Sequence, residues 1–105
     1  MRETKQIKRI REMEAKLDEA QEAVDRFQAA LEDFVSVQEL IADLDEYYAS
    51  DWMKDFQADE AGKLPEDLKR GVLSEDALFD LFTENRMAAS DALYSIAQLM
   101  GQGLL

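Results

Sequence analysis

Eight apolar residues constrain this chain most. Ile10, Met13, Leu17, Ala20, Val24, Phe27, Leu31 and Phe34 follow one another at alternating steps of three and four, without a break. A period of 3.5 residues sustained over more than three heptads is the signature of a helix that packs a narrow apolar seam in coiled-coil fashion. The surroundings agree. Residues 5 to 48 contain no Gly and no Pro, and strong helix formers are abundant. The rhythm slips once. The next seam position is Gln38, and Val37, Ile41, Leu44 and Tyr48 resume the pattern one residue early, with Leu40 and Tyr47 widening the apolar face. Two successive steps of three resemble a stammer. The spacing therefore predicts one long helix over 1–48, with a change of packing partner near its slip.

The remainder reads as short helical pieces and one more long helix. Ser50 or Asp51 can cap a short helix carrying Trp52, Met53 and Phe56, and Gly62 closes that section. In LPEDLKRG, Pro65 suits a first helical position and Gly71 a left-handed stop, so a single helical turn is expected from Pro65 to Arg70. Ser74 is the expected cap of the last helix, with Leu73 stapled onto Leu78. The first half of that helix is amphipathic, with Leu78, Leu81 and Phe82 opposite Asp76, Asp80 and Glu84. After Arg86 only Asp91 is charged, and a helix apolar nearly all round is expected to be buried on several sides. Gly101 and Gly103 are expected to fray its end.

The chain has 24 acidic and 12 basic residues, no cysteine and no histidine. The missing residue types exclude disulfides, thiolate chemistry, Cys/His zinc sites, a Ser-His-Asp triad and the Glu-x-x-His di-iron motif. A net charge of -12 repels nucleic acid and anionic lipid and favours basic protein surfaces. The charge is uneven. Arg2, Lys5, Lys8, Arg9 and Arg11 oppose only Glu3 at the start, whereas Glu39 to Glu60 holds eight carboxylates and one lysine. Basic residues at a helix start and acidic ones near its end oppose the helix dipole. Antiparallel pairing of two copies would set the basic end of one beside the acidic end of the other. The start lacks the apolar run of a signal peptide, and no stretch is apolar enough for a membrane span, so a cytoplasmic location is expected.

The segment YYASDWMKDFQADEAGKLPEDLKRGVLSEDALFDLF resembles the signature of a small bacterial family, domain-of-unknown-function family 4298. The Tyr-Tyr pair, the Trp-Met-x-Asp run and the Leu-Lys-Arg-Gly-Val-Leu-Ser-Glu-Asp stretch carry the resemblance, and residues 10 to about 86 fit the family's long helix followed by this signature. The resemblance implies a bacterial origin and an all-α fold, and brings no activity with it. The final fifteen or so residues depart from the family's charged ending.

Carboxylates occur at helical spacing in three sets: Asp43 with Glu46, Asp55 with Asp59, and Asp76 with Asp80 and Glu84. The paired Glu-Glu-x-x-Glu and Glu-x-x-Asp motifs of magnesium-dependent all-α pyrophosphatases are incomplete, and a calcium loop around Gly62 lacks its closing Glu. These carboxylates therefore read as a solvated face, with no catalytic, cofactor or metal residue assigned. Lys69 and Arg70 could bind an anion with the amides of the last helix, or pair with Asp55, Asp59 or Glu75. Trp52 could anchor an interface, or plug the gap between the long helix and the last one together with Tyr47, Tyr48 and Phe56. Trp52, Asp55, Asp59, Lys69 and Arg70 form the candidate recognition surface. Met13, Met53, Met87 and Met100 read as core fillers.

The expected fold is all-α and a single domain: a long helix (1–48), a compact elbow of short helices (49–73), a returning antiparallel helix (74–100) and a frayed tail (101–105). This helical hairpin leaves a coiled-coil-like seam uncovered. Counted from about residue 5 at 1.5 Å per residue, the first helix is about 66 Å long and the last about 39 Å, so the first 18 residues or so of the helix lack cover. Ile10, Met13, Leu17 and Ala20 lie there, and a second copy would cover them. The expected function is non-enzymatic protein–protein interaction with homodimeric self-association. Two alternatives are an acidic nucleic-acid mimic that blocks a basic protein, and a carboxylate-based metal-dependent enzyme. In the acidic section, Leu40, Ile41, Leu44, Tyr47, Tyr48, Trp52, Met53 and Phe56 are expected to face inward.

Overall fold

The computed structural model describes residues 4–105; Arg2 and Glu3, part of the uneven charge at the start, lie outside the described residues. The elements run α1 (Lys5–Ser36), α2 (Gln38–Ala49), α3 (Trp52–Glu60), a 3-10 turn (Gly71–Leu73) and α4 (Ala77–Gly101), with no strand among the described residues. The fold is all-α, in the expected order of a long helical stretch, an elbow and a final helix. The chain divides into two compact units, Met1–Glu39 and Leu40–Leu105.

The first unit is built on α1. Thr4 caps it: its Oγ1 accepts from the Ile7 N–H at 3.2 Å, satisfying an amide that has no partner inside the helix. Lys5 and Lys8 stand in the first turn and Asp33 in the last, with no acidic residue in the first turn and no basic residue in the last, so the charges do oppose the dipole. The expected single helix over 1–48 is interrupted at Val37, one residue before the failing seam position. The Val37 N–H still bonds to the Asp33 carbonyl at 3.0 Å. The Gln38 side chain donates to the Phe34 carbonyl at 3.0 Å. A polar side chain that satisfies a backbone acceptor is the local reason Gln38 can stand where the seam calls for an apolar residue.

The second unit is built around Trp52, Leu73 and Leu78, which are 5–7% exposed, with Leu44, Tyr47, Phe56, Leu64, Val72 and Phe82 packed against them. A buried indole needs a partner for its N–H. Trp52 Nε1 donates to the Val72 carbonyl at 2.9 Å. Val72 lies in the 3-10 turn, where carbonyls are less fully used than in an α-helix interior. Trp52 stacks on Phe56, with centroids 5.0 Å apart and planes 15° apart, and tilts against Tyr48 at 5.2 Å. Tyr48 meets Phe82 edge-on at 6.1 Å, tying α2 to α4.

The elbow departs from its expected details. Neither Ser50 nor Asp51 caps α3 through its side chain; the Ser50 hydroxyl instead donates to the Glu46 carbonyl at 2.8 Å and closes α2. α3 ends in a Schellman motif: the Gly62 N–H bonds to the Asp59 carbonyl and the Lys63 N–H to the Ala58 carbonyl, both at 3.0 Å, with Gly62 at φ +68°. The expected helical turn from Pro65 to Arg70 is only a tight turn closed by Leu68 N–H on the Pro65 carbonyl. Gly71 is not left-handed; it opens the 3-10 turn. Ser74 does not cap α4. Both its N–H and its hydroxyl bond back to the Gly71 carbonyl, so it closes the 3-10 turn, and Asp76 takes the cap position without a side-chain bond. Leu73 and Leu78 nevertheless meet in the core.

Two further expectations fail in α4. Its end is not frayed: Gly103, at φ +74°, bonds to the Met100 carbonyl and Leu104 to the Leu99 carbonyl, a second Schellman motif. Nor is the apolar second half buried. Beyond Phe82 no residue of α4 joins the core, and Met87, Leu93, Tyr94 and Met100 are exposed, Leu93 at 72%.

Candidate functional site

The seam of α1 is the most extensive candidate surface. α1 buries no residue at all. Ile10, Met13, Leu17, Val24, Phe27 and Leu31 are each about half exposed, Leu17 the most at 58%, and Ala20 is also exposed. Phe34 is half-buried. The heptad spacing thus produces a straight apolar stripe with charged residues on either side. Val35, also exposed, extends it. The uninterrupted three-four pattern runs through Phe34 and passes over Val35, which shares its flanking heptad position with Ile7 at the other end of the helix.

Within the second unit the recognition candidates separate. Trp52 is core, not surface. Asp55 accepts from the Tyr47 hydroxyl at 2.6 Å. Partial burial and the neighbouring Asp55 carboxylate push the Tyr47 phenol up to about 12, because ionising it would place a second negative charge there. Asp59 pairs with Arg70, Nη1 to Oδ1 at 2.5 Å. Arg70 also donates from Nη2 to the Pro65 carbonyl and from Nε to the Leu68 carbonyl. One guanidinium therefore ties the end of α3 to the loop that follows it, which is the ion-pair reading of Arg70 rather than the anion-site reading. Lys69 stays exposed. Nothing in the sequence marked the Tyr47–Asp55 bond, since eight residues and a helix break separate the two.

The remaining carboxylates point away from the core. Asp43, Glu46, Asp76, Asp80 and Glu84 are exposed, and among the described residues no group of three or more His, Cys, Asp or Glu side chains could hold a metal ion. Leu40 and Met53 do not face inward as expected, being 61% and 54% exposed. Met13, Met87 and Met100 are likewise exposed rather than core fillers. A shallow depression of about 380 Å³ on α4 is lined by Phe79, Phe82, Thr83, Arg86 and Met87. It continues into the exposed apolar half of the helix. Among the described residues no helix is long and apolar enough to cross a membrane.

No curated protein and no solved structure matches the chain. One family profile does, described as a domain of unknown function (DUF4298), and it matches residues 10–95. The match spans the seam, the Trp52 core and the elbow, and it runs nine residues past the point where the resemblance was expected to end, into the apolar half of α4. The chain belongs to this family, DUF4298.

Proposed function

We propose that this chain works by binding protein rather than by catalysis, and that its first partner is a second copy of itself held along the α1 seam. The observation that carries this reading is an amphipathic helix of 32 residues with no buried residue. Most helical stability in proteins comes from packing an apolar face. Contiguous exposed apolar surface marks interaction sites. The stripe has the 3.5-residue period that helix pairing requires and a flank rich in charge. Light scattering at micromolar concentration tests it. The wild-type chain should give twice its 12.0 kDa mass, and Leu17→Asp should return it to 12.0 kDa. A wild-type mass of 12.0 kDa would defeat the reading.

A heterologous partner, in the same proposal, is a basic protein rather than nucleic acid. Asp43, Asp45, Glu46, Asp51 and Glu60 are exposed on or beside α2 and α3, and Lys54 is the one basic residue of that section. Such a surface attracts Lys and Arg and repels phosphate, over a reach of about 8 Å at physiological salt. Binding that weakens from 50 to 500 mM salt fits this account, and a gel shift with bare duplex DNA contradicts it.

A further inference from the structure

We infer that the second copy lies antiparallel on α1, in a register whose two-fold axis passes at residue 22. The inference rests on the self-association proposed above and adds its geometry.

With Ile10 at heptad position a, the seam alternates a and d through Phe34 at d. Antiparallel helices pair a of one with d of the other. Centring the axis at residue 22 sets Ile10 against Phe34 of the second copy, Met13 against its Leu31, Leu17 against its Phe27 and Ala20 against its Val24. All eight seam residues are used; three of the four layers join a larger side chain with a smaller one, and Met13 meets Leu31, which is close to its equal in volume. The flanks agree. Ile7 and Val35 meet at each end, lengthening the apolar stripe, and Gln21 and Ala23 each meet their own copy near the axis. Glu14 faces Gln28 and Lys16 faces Ala30, so no like charges oppose one another at the positions flanking the seam; farther out, Glu12 lies level with Glu32 and Glu19 with Asp25, while Asp18 lies level with Arg26.

The ends decide the orientation. In this register Lys5 lies level with Glu39 of the second copy and Arg11 level with its Asp33, so the unfavourable dipole charges of one helix are offset by the other. A parallel pair would gain an exposed Arg9–Glu14 contact on each side. It would also stack Lys5, Lys8, Arg9 and Arg11 on their own copies. It would set Ala20 on Ala20 beside Phe27 on Phe27, a gap next to a bulge in a seam that packs knobs into holes.

The chain has no cysteine, so single labelling sites are clean. Lys8 and Glu22 are exposed and share one outer heptad column. Spin labels on Lys8→Cys and, separately, on Glu22→Cys give the distance between like positions in the full-length dimer, with mass and helicity checked on each variant. The register expects labels at 22 to be level across the pair, and labels at 8 to be separated by about 42 Å along the axis at 1.5 Å per residue. Equal short distances at both sites would mean a parallel pair. A long distance at 22 would mean a different antiparallel register. Either outcome overturns this inference while leaving self-association standing. A 12.0 kDa mass with no dipolar coupling overturns self-association itself.

Discussion

Phe27 and Trp52 are both large aromatic residues on the apolar stripe of a helix, yet Phe27 is 51% exposed and Trp52 is 7% exposed. The contrast is not one of hydrophobicity. Trp52 is covered because the elbow after α3 is built to bring cover to it. Gly62 turns the chain, Arg70 fastens the loop to Asp59, and the 3-10 turn then presents the Val72 carbonyl and the Leu73 side chain. Phe27 has no such device within its own unit. Its neighbours on the stripe from Ile10 to Leu31 are exposed to a similar degree, and Phe34 at the end is half-buried. Periodicity shows that a helix face needs cover. A turn with specific hydrogen bonds is what makes the same chain supply it.

The largest effect should come from removing the centre of the covered region. Trp52→Ala should cost about 3–5 kcal/mol and abolish the second unit's cooperative melt. If the variant melts as the wild type does, the core is not where the structure puts it. At the uncovered region, Leu17→Asp should change mass and leave the fluorescence of Trp52 unaltered, since the two residues belong to different units. A simultaneous change in Trp52 emission would show that the two regions are not separable.

Arg70→Ala should cost about 1.5–3 kcal/mol in denaturant unfolding, because Arg70 and Asp59 are both largely shielded and the loop loses its tie. A cost near zero would remove Arg70 from the account of how Trp52 is covered. Gly62→Ala should cost about 1–2 kcal/mol through its positive φ alone, as no atom lies within 4 Å of an added Cβ. Gly71→Ala, whose φ is ordinary, should stay within about 0.5 kcal/mol of wild type. Equal effects at the two glycines would contradict the Schellman ending of α3.

Alkaline pH gives an effect confined to one side chain. The Tyr47 phenol is raised to about 12 in the folded chain from an ordinary value of 10.0. Folding therefore favours the protonated form. Its contribution to stability is complete below pH 10 and is lost as pH rises through about 12. A late phase of phenolate absorbance near pH 12 should be present in the wild type and absent from Tyr47→Phe. Asp55→Asn should move that phase back toward 10.

Much of this contrast was legible in the residues. The gap-free alternation from Ile10 to Phe34 marked both the helix and its seam, and the failure at Gln38 fell beside the break at Val37. The helix boundaries were harder. Ser74 and Asp76 are both good capping residues three positions or fewer from the start of α4, and the 3-10 turn that claims Ser74 has no sequence signal of its own. Gly62, Gly71 and Gly103 all follow helix-like stretches, and only backbone hydrogen bonding separates the two left-handed stops from the 3-10 opening. The apolar half of α4 misled for the reason Phe27 and Trp52 differ: composition states the need for cover and is silent on who provides it.

Amide hydrogen exchange at two chain concentrations compares the two regions in one experiment. Protection that depends on association rises with concentration, whereas protection from a chain's own core does not. The account expects the amides of α1 between Ile10 and Phe34 to gain protection as the chain is concentrated from nanomolar to micromolar, while those of α3 around Trp52 stay constant. Protection of α1 that is the same at both concentrations, with a mass of 12.0 kDa, would contradict the claim that a second copy covers the seam.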